Sequence, residues 1–453
     1  MRGELRFSMR VVPREKILRV SRPEYMLQKN CNPIYSGLFL CFEYVSKIGC
    51  GLRSNRRKET IMDFEKGLKE KRTLFIRDIL CDDWIGKEII MNGAIHTIRH
   101  MGQFSFLILR NYEGLIQCVL EEGQVENFHT ISLKEGTTVE VKGIVKAEDR
   151  APNGFEVLLT NIRILTVPAA DSQMPIPINK WKLNTSLESK LSLRPISLRN
   201  IRERAKFKIQ EGIVRSFRDF LYAQHFTEIR TPKIVSGNAE GGANVFKLEY
   251  FGKKAFLAQS PQFYKQTMVG VYDRVFETAP VFRAEKHNTT RHLNEYTSLD
   301  LEMGYIDGFE DVMDMEEAML CYIMDFLQRE YGKELRILDV TIPNTSQIPR
   351  VRFDEAKVLV SKKYNRKIKD PYDLEPEEEV LIGKYFNEEY NSDFVFVTHY
   401  PSKKRPFYAM DDPSNPVYTL SFDLLFKGME VTTGGQRIHD YETLVDKMVK
   451  KGL

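Results

Sequence analysis

The sequence lacks the features of a disulfide-stabilised, zinc-stabilised or membrane-spanning protein. No CxxC pair occurs, and no histidines stand at zinc-binding spacing, so neither a disulfide framework nor a structural zinc is indicated. The apolar run 34–45 is too short to cross a bilayer and contains Glu43. Internal repeats and low-complexity tracts are also absent. We therefore expect a cytoplasmic protein without a membrane segment. The six scattered cysteines are Cys31, Cys41, Cys50, Cys81, Cys118 and Cys321.

Positive charge is concentrated at the start of the chain. The net charge of the 453 residues is +4, but residues 1–61 hold 13 Lys and Arg against 5 Asp and Glu. The remainder is therefore mildly acidic, and a nucleic-acid surface within it has to be a local patch. Residues 1–61 show no sustained periodicity. We expect them to be a disordered extension or sequence that the mature protein does not use.

A run of short strands predicts a first domain over residues 72–168. Between Lys87 and Pro168, five apolar segments of strand length are separated by Gly, Asn and charged turns. Five strands of this length are typical of a small closed barrel of the OB type. Prolines then mark residues 169–200 as a stiff connector. The 453-residue length fits two or three domains.

Helical periodicity begins a second domain, over residues 201–453. The segment 204–225 places six apolar residues on one predicted helix face, and longer helices alternate with strands after it. This order predicts an α+β architecture in which helices flank a mostly antiparallel sheet. The six residues of the first helix are Phe207, Ile209, Ile213, Val214, Phe217 and Leu221.

The segment Pro280–Met303 predicts a hairpin suited to a polyphosphate. An apolar strand leads into Arg283, a polar loop follows, and Thr297–Tyr305 alternates as a half-buried strand does. A guanidinium fixed at a strand end can pair with two oxygens of one phosphate. The alternative is a surface hairpin with solvated charges.

In this order, the barrel, connector, helix and arginine hairpin resemble the class II aminoacyl-tRNA synthetases, specifically the aspartyl enzymes of archaeal type. The resemblance runs from about Arg72 to the last residue. It implies an OB-fold anticodon-binding domain followed by a catalytic domain with an antiparallel sheet. Phe226–Ile234 looks like the family's first motif, a helix and strand at the interface of a homodimer, and Pro280–Met303 looks like its second.

The resemblance implies a site for L-aspartate, ATP and Mg²⁺. Arg283 is the expected catalytic residue, and Glu430 and Thr433 are the expected magnesium ligands. Lys265 is the main reason for expecting aspartate, since related asparaginyl enzymes usually lack it. The aspartate-binding residues would be Glu240, Gln262, Phe263, Tyr264, Lys265, Arg283, Thr433 and Arg437. The ATP-binding residues would be Arg283, Ala284, Glu285, Arg291, His292, Leu293 and Glu430.

The activity implied is ATP-dependent attachment of aspartate to tRNA(Asp) through an aspartyl-adenylate. Phe106 and Gln117 would stack on and hydrogen-bond the central anticodon base, although Phe106 alone fits a core position too. His96 and Pro152 stand where strictly discriminating enzymes have Trp and Lys. We therefore expect relaxed recognition that includes tRNA(Asn). The alternative for His96 is a buried barrel residue.

The family's third motif, a Gly-rich strand and helix with an arginine, is not found before Leu453. We expect from this that the sequence is truncated ahead of that motif and that its activity is uncertain. Three other classes remain: an asparaginyl-tRNA synthetase or asparagine synthetase paralogue, a catalytically inactive tRNA-binding paralogue, and an unrelated OB-fold DNA-binding protein. Lys265 argues against the asparaginyl enzyme, and the barrel argues against the asparagine synthetase paralogue. The retained site residues argue against the inactive paralogue, and the catalytic segments argue against the DNA-binding protein.

Overall fold

Alternating apolar residues close the first five strands into a barrel. A computed structural model describes residues 76–125, 133–169, 174–237, 245–286 and 293–452. The barrel order is β1-β2-β3-β5-β4, in which only the β3–β5 pair is parallel. Inward side chains such as Leu107, Leu109 and Val141 fill its core. The predicted five-stranded OB-type barrel is confirmed. Its strands are β1 (Glu88–His100), β2 (Phe104–Arg110), β3 (Leu115–Glu121), β4 (Thr138–Ala147) and β5 (Phe155–Thr166).

One short helix precedes the barrel and packs against its core, and two short helices lead from the barrel to a long helix. The long helix begins at Asn200, whose side-chain oxygen accepts the backbone N–H groups of Arg202 and Glu203. Its apolar face packs against the next long helix through Phe217, Leu221 and their partners. The helices are α1 (Ile76–Ile79), α2 (Leu187–Ser192), α3 (Arg194–Ser197) and α4 (Ile201–Ala223).

The described part of the second domain forms three small sheets, of orders β7-β9-β8, β11-β10-β6 and β12-β13-β14-β15. Antiparallel pairs dominate, with parallel pairing at β6–β10 and β12–β13. Phe422 and Leu424 face the helix that begins at Glu310, and Leu425 faces helices on the other side. The α+β architecture is therefore confirmed. Its strands are β6 (Thr227–Glu228), β7 (Ile234–Val235), β8 (Lys247–Tyr250), β9 (Lys253–Leu257), β10 (Arg274–Phe282), β11 (Glu295–Met303), β12 (Arg350–Arg352), β13 (Phe394–Thr398), β14 (Ser421–Phe426) and β15 (Met429–Gly435).

The remaining helices flank these sheets. They are α5 (Gln262–Tyr272), α6 (Glu310–Glu330), α7 (Gly332–Leu338), α8 (Phe353–Tyr364), α9 (Pro376–Tyr390) and α10 (Tyr441–Lys450). Across the described ranges, the structure contains no helix that is both long and apolar enough to cross a membrane.

Two local predictions are wrong. Phe207 does not join the buried face of α4, since it is 42% exposed and its ring lies 4.8 Å from the guanidinium carbon of Arg194. The strand predicted over Thr297–Tyr305 runs from Glu295 to Met303 instead. Tyr305 is 94% exposed at φ +56°. That left-handed conformation ends a strand.

Candidate active site

Hydrogen bonds on both sides fix the backbone around Arg283 at the end of the β10–β11 hairpin. The Phe282 N–H donates to the Ala258 carbonyl, and the Arg283 N–H donates to the Asn294 carbonyl, both at 3.0 Å. The guanidinium carbon lies 5.6 Å from the centre of the Tyr296 ring. Arg283 Nε is buried without a hydrogen-bond partner in the described part of the chain. The backbone of Arg283 is therefore fixed, and its guanidinium keeps a hydrogen-bond donor for a ligand.

Two cations and two carboxylates form a compact group beside this hairpin. Lys265 Nζ lies 2.9 Å from Asp300 Oδ1 and 3.8 Å from Glu302 Oε2. Arg437 pairs with Glu302 through two nitrogens, and its Nη2 is 2.9 Å from Glu302 Oε2. Asp300 and Glu302 share one face of β11, since strand side chains alternate. We call Lys265, Asp300, Glu302 and Arg437 the charged quartet.

The ion pair between Lys265 and Asp300 favours the charged form of both residues. Burial alone would lower the pKa of Lys265, but the charges of Asp300 and Glu302 outweigh it and the pKa is raised. Burial likewise opposes ionisation of Asp300, yet Lys265 and a hydrogen bond from Ser298 hold the pKa of that carboxyl below its usual range. The quartet can therefore bind a zwitterion by exchanging internal ion pairs for ion pairs with the ligand.

Arg437 and Gln262 retain donors that the protein does not use. The Arg437 guanidinium carbon lies 4.6 Å from the centre of the Tyr408 ring, and its Nη1 is buried without a partner among the described residues. Gln262, the first residue of α5, is 3% exposed, and its Nε2 is unpartnered within the same ranges. A buried unsatisfied donor carries a free-energy penalty, and such donors are common at ligand sites.

The predicted neighbours of Gln262 differ in placement. Phe263 and Tyr264 are 53% and 40% exposed, so they lie at the open side of α5 and not in its buried face. Ala284 and Glu285 follow Arg283 and are half-buried. Leu293 is 57% exposed at the edge of the hairpin. Glu240, Arg291 and His292 lie outside the described residues, and their assignments stay predictions.

Oxygen ligands lie together where β14 and β15 pair. Thr433 Oγ1 donates to Asp423 Oδ1 at 2.5 Å and accepts from Arg405 Nη1 at 3.1 Å. Arg405 Nη2 is 2.7 Å from the same Asp423 oxygen. Although much of Glu430 is exposed, partial burial of its carboxyl and the nearby charge of Asp423 raise its pKa to about 7. A cation near Glu430 would favour its ionised form.

The two glycines after Thr433 have a packing role. An added Cβ at Gly434 would lie 2.4 Å from the Phe422 ring, and one at Gly435 would lie 2.7 Å from the Leu420 carbonyl oxygen. These contacts explain the two glycines by the close approach of β14 to β15.

The anticodon predictions fall on the outer surface of the barrel. Phe106 is half-buried and packs edge-on against Phe104 with ring centres 5.3 Å apart, while the barrel core takes the alternate residues. Gln117 Nε2 donates to Glu156 Oε2 at 3.0 Å. Its carboxamide is therefore already oriented, with the oxygen left for a further bond. Their role in reading RNA stays a prediction.

The two specificity predictions differ in accessibility. Pro152 is exposed in the turn before β5. His96 is only 4% exposed, and its Nδ1 has no partner among the residues described. Burial, with Arg110 and Arg204 adding to it, lowers the pKa of His96 to about 4, so the ring is neutral. The ring as placed does not reach a surface base, and its effect on specificity stays a prediction.

Sequence reasoning missed four residues that organise the site: Asp300, Glu302, Asp423 and Arg405. The two β11 carboxylates carried a signal, since acidic residues at alternate positions of a half-buried strand need partners. Asp423 and Arg405 carried none, because their pairing depends on how a long loop returns to β14.

Known proteins match this chain over both domains. The family of tRNA synthetases class II (D, K and N) matches residues 186–453, and the OB-fold nucleic acid binding domain matches residues 89–165. The aspartate–tRNA(Asp/Asn) ligase of Deinococcus radiodurans is 47% identical over 80% of this chain and 82% of its own. That of Thermus thermophilus is 42% identical over 84% and 87%.

Solved structures show the same architecture. The asparaginyl-tRNA synthetase of Pyrococcus horikoshii, complexed with asparaginyl-adenylate, superposes with a TM-score of 0.77 at 29% identity, covering 84% of this chain and 87% of its own. The aspartyl-tRNA synthetase of Entamoeba histolytica gives a TM-score of 0.73 at 27% identity, covering 84% and 82%. Fold alone does not separate the two amino acids, so the side chains of the site have to.

Proposed function

The chain belongs to the class II tRNA synthetases of the D, K and N group, within the aspartate–tRNA ligases, and we propose that it activates L-aspartate with ATP and transfers it to tRNA(Asp). The observation that carries this proposal is the charged quartet with the unused donor of Arg437. Asparagine has a neutral amide in place of the side-chain carboxylate. It would therefore form no ion pair with Lys265 and Arg437 through its side chain.

The quartet suits aspartate group by group. Lys265 and Arg437 supply the positive charge for the side-chain carboxylate, and Arg437 Nη1 is free to donate to it. Asp300, held ionised, supplies negative charge for the ammonium, alongside the predicted Glu240. Gln262 Nε2 is available to orient the substrate.

The activation step needs no general base, because the attacking α-carboxylate of aspartate is already ionised. It attacks the α-phosphorus of ATP, a bond forms from carboxylate oxygen to phosphorus, and pyrophosphate leaves with the electron pair of the broken bond. In the transfer step, a ribose hydroxyl oxygen of the terminal adenosine of tRNA bonds to the aspartyl carbonyl carbon, the bond from that carbon to AMP breaks, and the hydroxyl proton passes to the phosphate of the leaving AMP. The guanidinium of Arg283 stabilises the negative charge that develops on the α-phosphate, because hydrogen bonds fix the Arg283 backbone before the substrate binds.

Glu430 and Thr433 are the residues that would hold Mg²⁺. Their hard oxygens fit it, and a bound cation would offset the burial and the Asp423 charge that raise the pKa of Glu430. Among the described residues, no group of three or more His, Cys, Asp or Glu could hold a metal alone. When bound, Mg²⁺ would neutralise part of the negative charge of the ATP phosphates.

The direct test is exchange of labelled pyrophosphate into ATP with purified protein and either amino acid. Aspartate should support exchange and asparagine should not. Exchange that depends on asparagine would replace this proposal with the asparaginyl activity of the structural relatives.

Relaxed tRNA recognition extends the proposal. It is supported by the names of the two relatives described above and by the absence of Trp and Lys at His96 and Pro152. The protein should aminoacylate both purified tRNA(Asp) and purified tRNA(Asn), and strict preference for tRNA(Asp) would refute relaxed recognition.

We also propose a homodimer through Phe226–Ile234, where Ile234 is 48% exposed. Light scattering would give the mass of a single chain if this is wrong.

A further inference from the structure

Phe106 and Arg110 lie on the same outer face of the barrel. Residues alternate along β2, so the core takes Leu107 and Leu109 while Phe106, Ile108 and Arg110 point outward. Four strand residues span about 13 Å at roughly 3.3 Å each. The face predicted to read the anticodon therefore continues along β2 to Arg110, at the end nearest the second domain.

The second domain brings two more arginines to this end of β2. Arg204 lies in the first turns of α4, and its Nη1 donates to the Asn111 carbonyl at 2.8 Å, one residue beyond Arg110. Arg199 immediately precedes Asn200, the N-cap of α4. Both are close enough to lower the pKa of Arg110. We call Arg110, Arg199 and Arg204 the junction arginines.

The junction arginines are not neutralised within the described residues. Arg110 and Arg199 form no ion pair there, and Arg110 Nε is buried without a hydrogen-bond partner. Glu334 is the one acidic group that raises the pKa of Arg204, against the larger effect of burial. Burial, then Arg199 and Arg204, lower the pKa of Arg110 to about 10, so it stays charged at neutral pH.

Neighbouring basic residues show what a structural role looks like at this junction. Arg202 donates to the carbonyls of Ile337 and Leu338, at 2.5 and 2.8 Å. Lys333 Nζ donates to the Glu113 carbonyl at 2.7 Å. Their donors are used by the protein, whereas the side chains of Arg110 and Arg199 donate to no group within the described ranges. Half-buried like charges without a counter-ion destabilise a fold unless an anion binds between them.

We propose that the junction arginines bind backbone phosphates of the tRNA, in the part that leads from the anticodon towards the catalytic domain. This rests on the proposed function, since it takes the ligand to be the RNA held at Phe106. Planar guanidiniums bind phosphate oxygens bidentately, and the neutral ring of His96, buried beside them, adds no further charge. An RNA strand that runs from Phe106 to the active site passes the junction between the two domains.

The test is the salt dependence of tRNA(Asp) binding for Arg110→Gln and Arg199→Gln. Each variant should weaken binding, and the slope of log K against log salt should decrease in magnitude by about one unit per lost phosphate contact. Arg110→Lys should restore the slope while recovering only part of the affinity, because lysine restores the positive charge but not the planar pair of guanidinium donors. Arg163→Gln, which removes an exposed barrel arginine paired with Glu140, is the matched control and should bind as wild type does.

Two further readouts separate the outcomes. Aspartate-dependent pyrophosphate exchange needs no tRNA and should be unchanged in the junction variants, and the melting temperature should not fall. Unchanged tRNA affinity and slope in both Gln variants would overturn the junction site alone. Inorganic phosphate that raises the melting temperature of wild type but not of Arg110→Gln, with no change in RNA binding, would replace RNA with a small anion. Wild-type protein that binds no tRNA would instead refute the proposed function.

Discussion

Arg283 illustrates how single residues carry the proposed chemistry. Backbone hydrogen bonds from Phe282 and from Arg283 itself fix the chain there, and the Arg283 Nε keeps a buried, unused donor in the described structure. A side chain held this way loses little entropy when it binds a phosphate. Its position at a strand end could be predicted, since an apolar strand precedes it.

Arg283→Ala should reduce aspartate-dependent pyrophosphate exchange by at least about 10²-fold, the usual scale for losing a donor to developing charge. Arg283→Lys should recover little of the exchange rate, because one ammonium group cannot replace the paired donors of the planar guanidinium. Exchange rates measured at saturating ATP and aspartate check this. Arg163→Ala on the barrel is the control, and a rate in Arg283→Ala equal to the control would contradict the assignment.

The partners of the quartet show the limit of prediction at this scale. Lys265 and Arg437 were expected at the aspartate site from the resemblance, and the structure brings them together through Glu302. The two carboxylates were missed although they alternate along a predicted strand. A sequence shows which face a residue takes, but not which distant cation lies opposite.

At the scale of elements, the β14–β15 hairpin depends on Gly434. A methyl group there would overlap the Phe422 ring at 2.4 Å. Gly434→Ala should therefore lower the free energy of unfolding by about 1–3 kcal/mol, the typical result of overpacking. Gly270→Ala in α5, where an added Cβ meets nothing within 4 Å, should be neutral or slightly stabilising. Urea titrations of both variants make the comparison, and equal stabilities would contradict it.

The contact of α6 with β15 adds a pH dependence. Glu316 is 5% exposed, and burial raises its pKa from 4.5 to about 7 against the opposing hydrogen bond from Thr432. Between these two pH values, the Glu316 carboxyl therefore keeps its proton in the native state and has lost it in the unfolded state. The free energy of unfolding should fall as pH rises through this window, by up to about 3 kcal/mol.

Glu316→Gln removes this effect, because the amide does not titrate and can still accept from Thr432. Urea unfolding at pH 5 and pH 7.5 should show that wild type loses more stability than the variant over that range. The same loss in both proteins would mean that Glu316 does not titrate there.

Elements were predictable where one periodicity persisted. The barrel strands and the course of α4 follow from alternation and helical spacing. Phe207 fits the helical period, but it is 42% exposed and lies against the guanidinium of Arg194. The segment Phe226–Ile234 forms only the two-residue strand β6 and the first residue of β7. Its one proline, Pro232, and its charged residues limit strand pairing in ways that composition alone does not fix.

For the whole molecule, the junction between the barrel and the second domain could not be predicted from sequence. Arg110, Arg199 and Arg204 belong to separate segments, and none forms a motif. Only the folded chain brings them together, through the hydrogen bond from Arg204 to the Asn111 carbonyl. The order of the domains was predictable because each has its own periodicity and the connector has prolines.

Transfer of labelled aspartate to purified tRNA(Asp), with ATP and Mg²⁺, measures the proposed activity as a whole. It requires the quartet, Arg283 and the barrel to act on the same substrates. We expect aspartyl-tRNA to form only with ATP, and no ester to form when asparagine replaces aspartate. Esterification with asparagine and none with aspartate would contradict it.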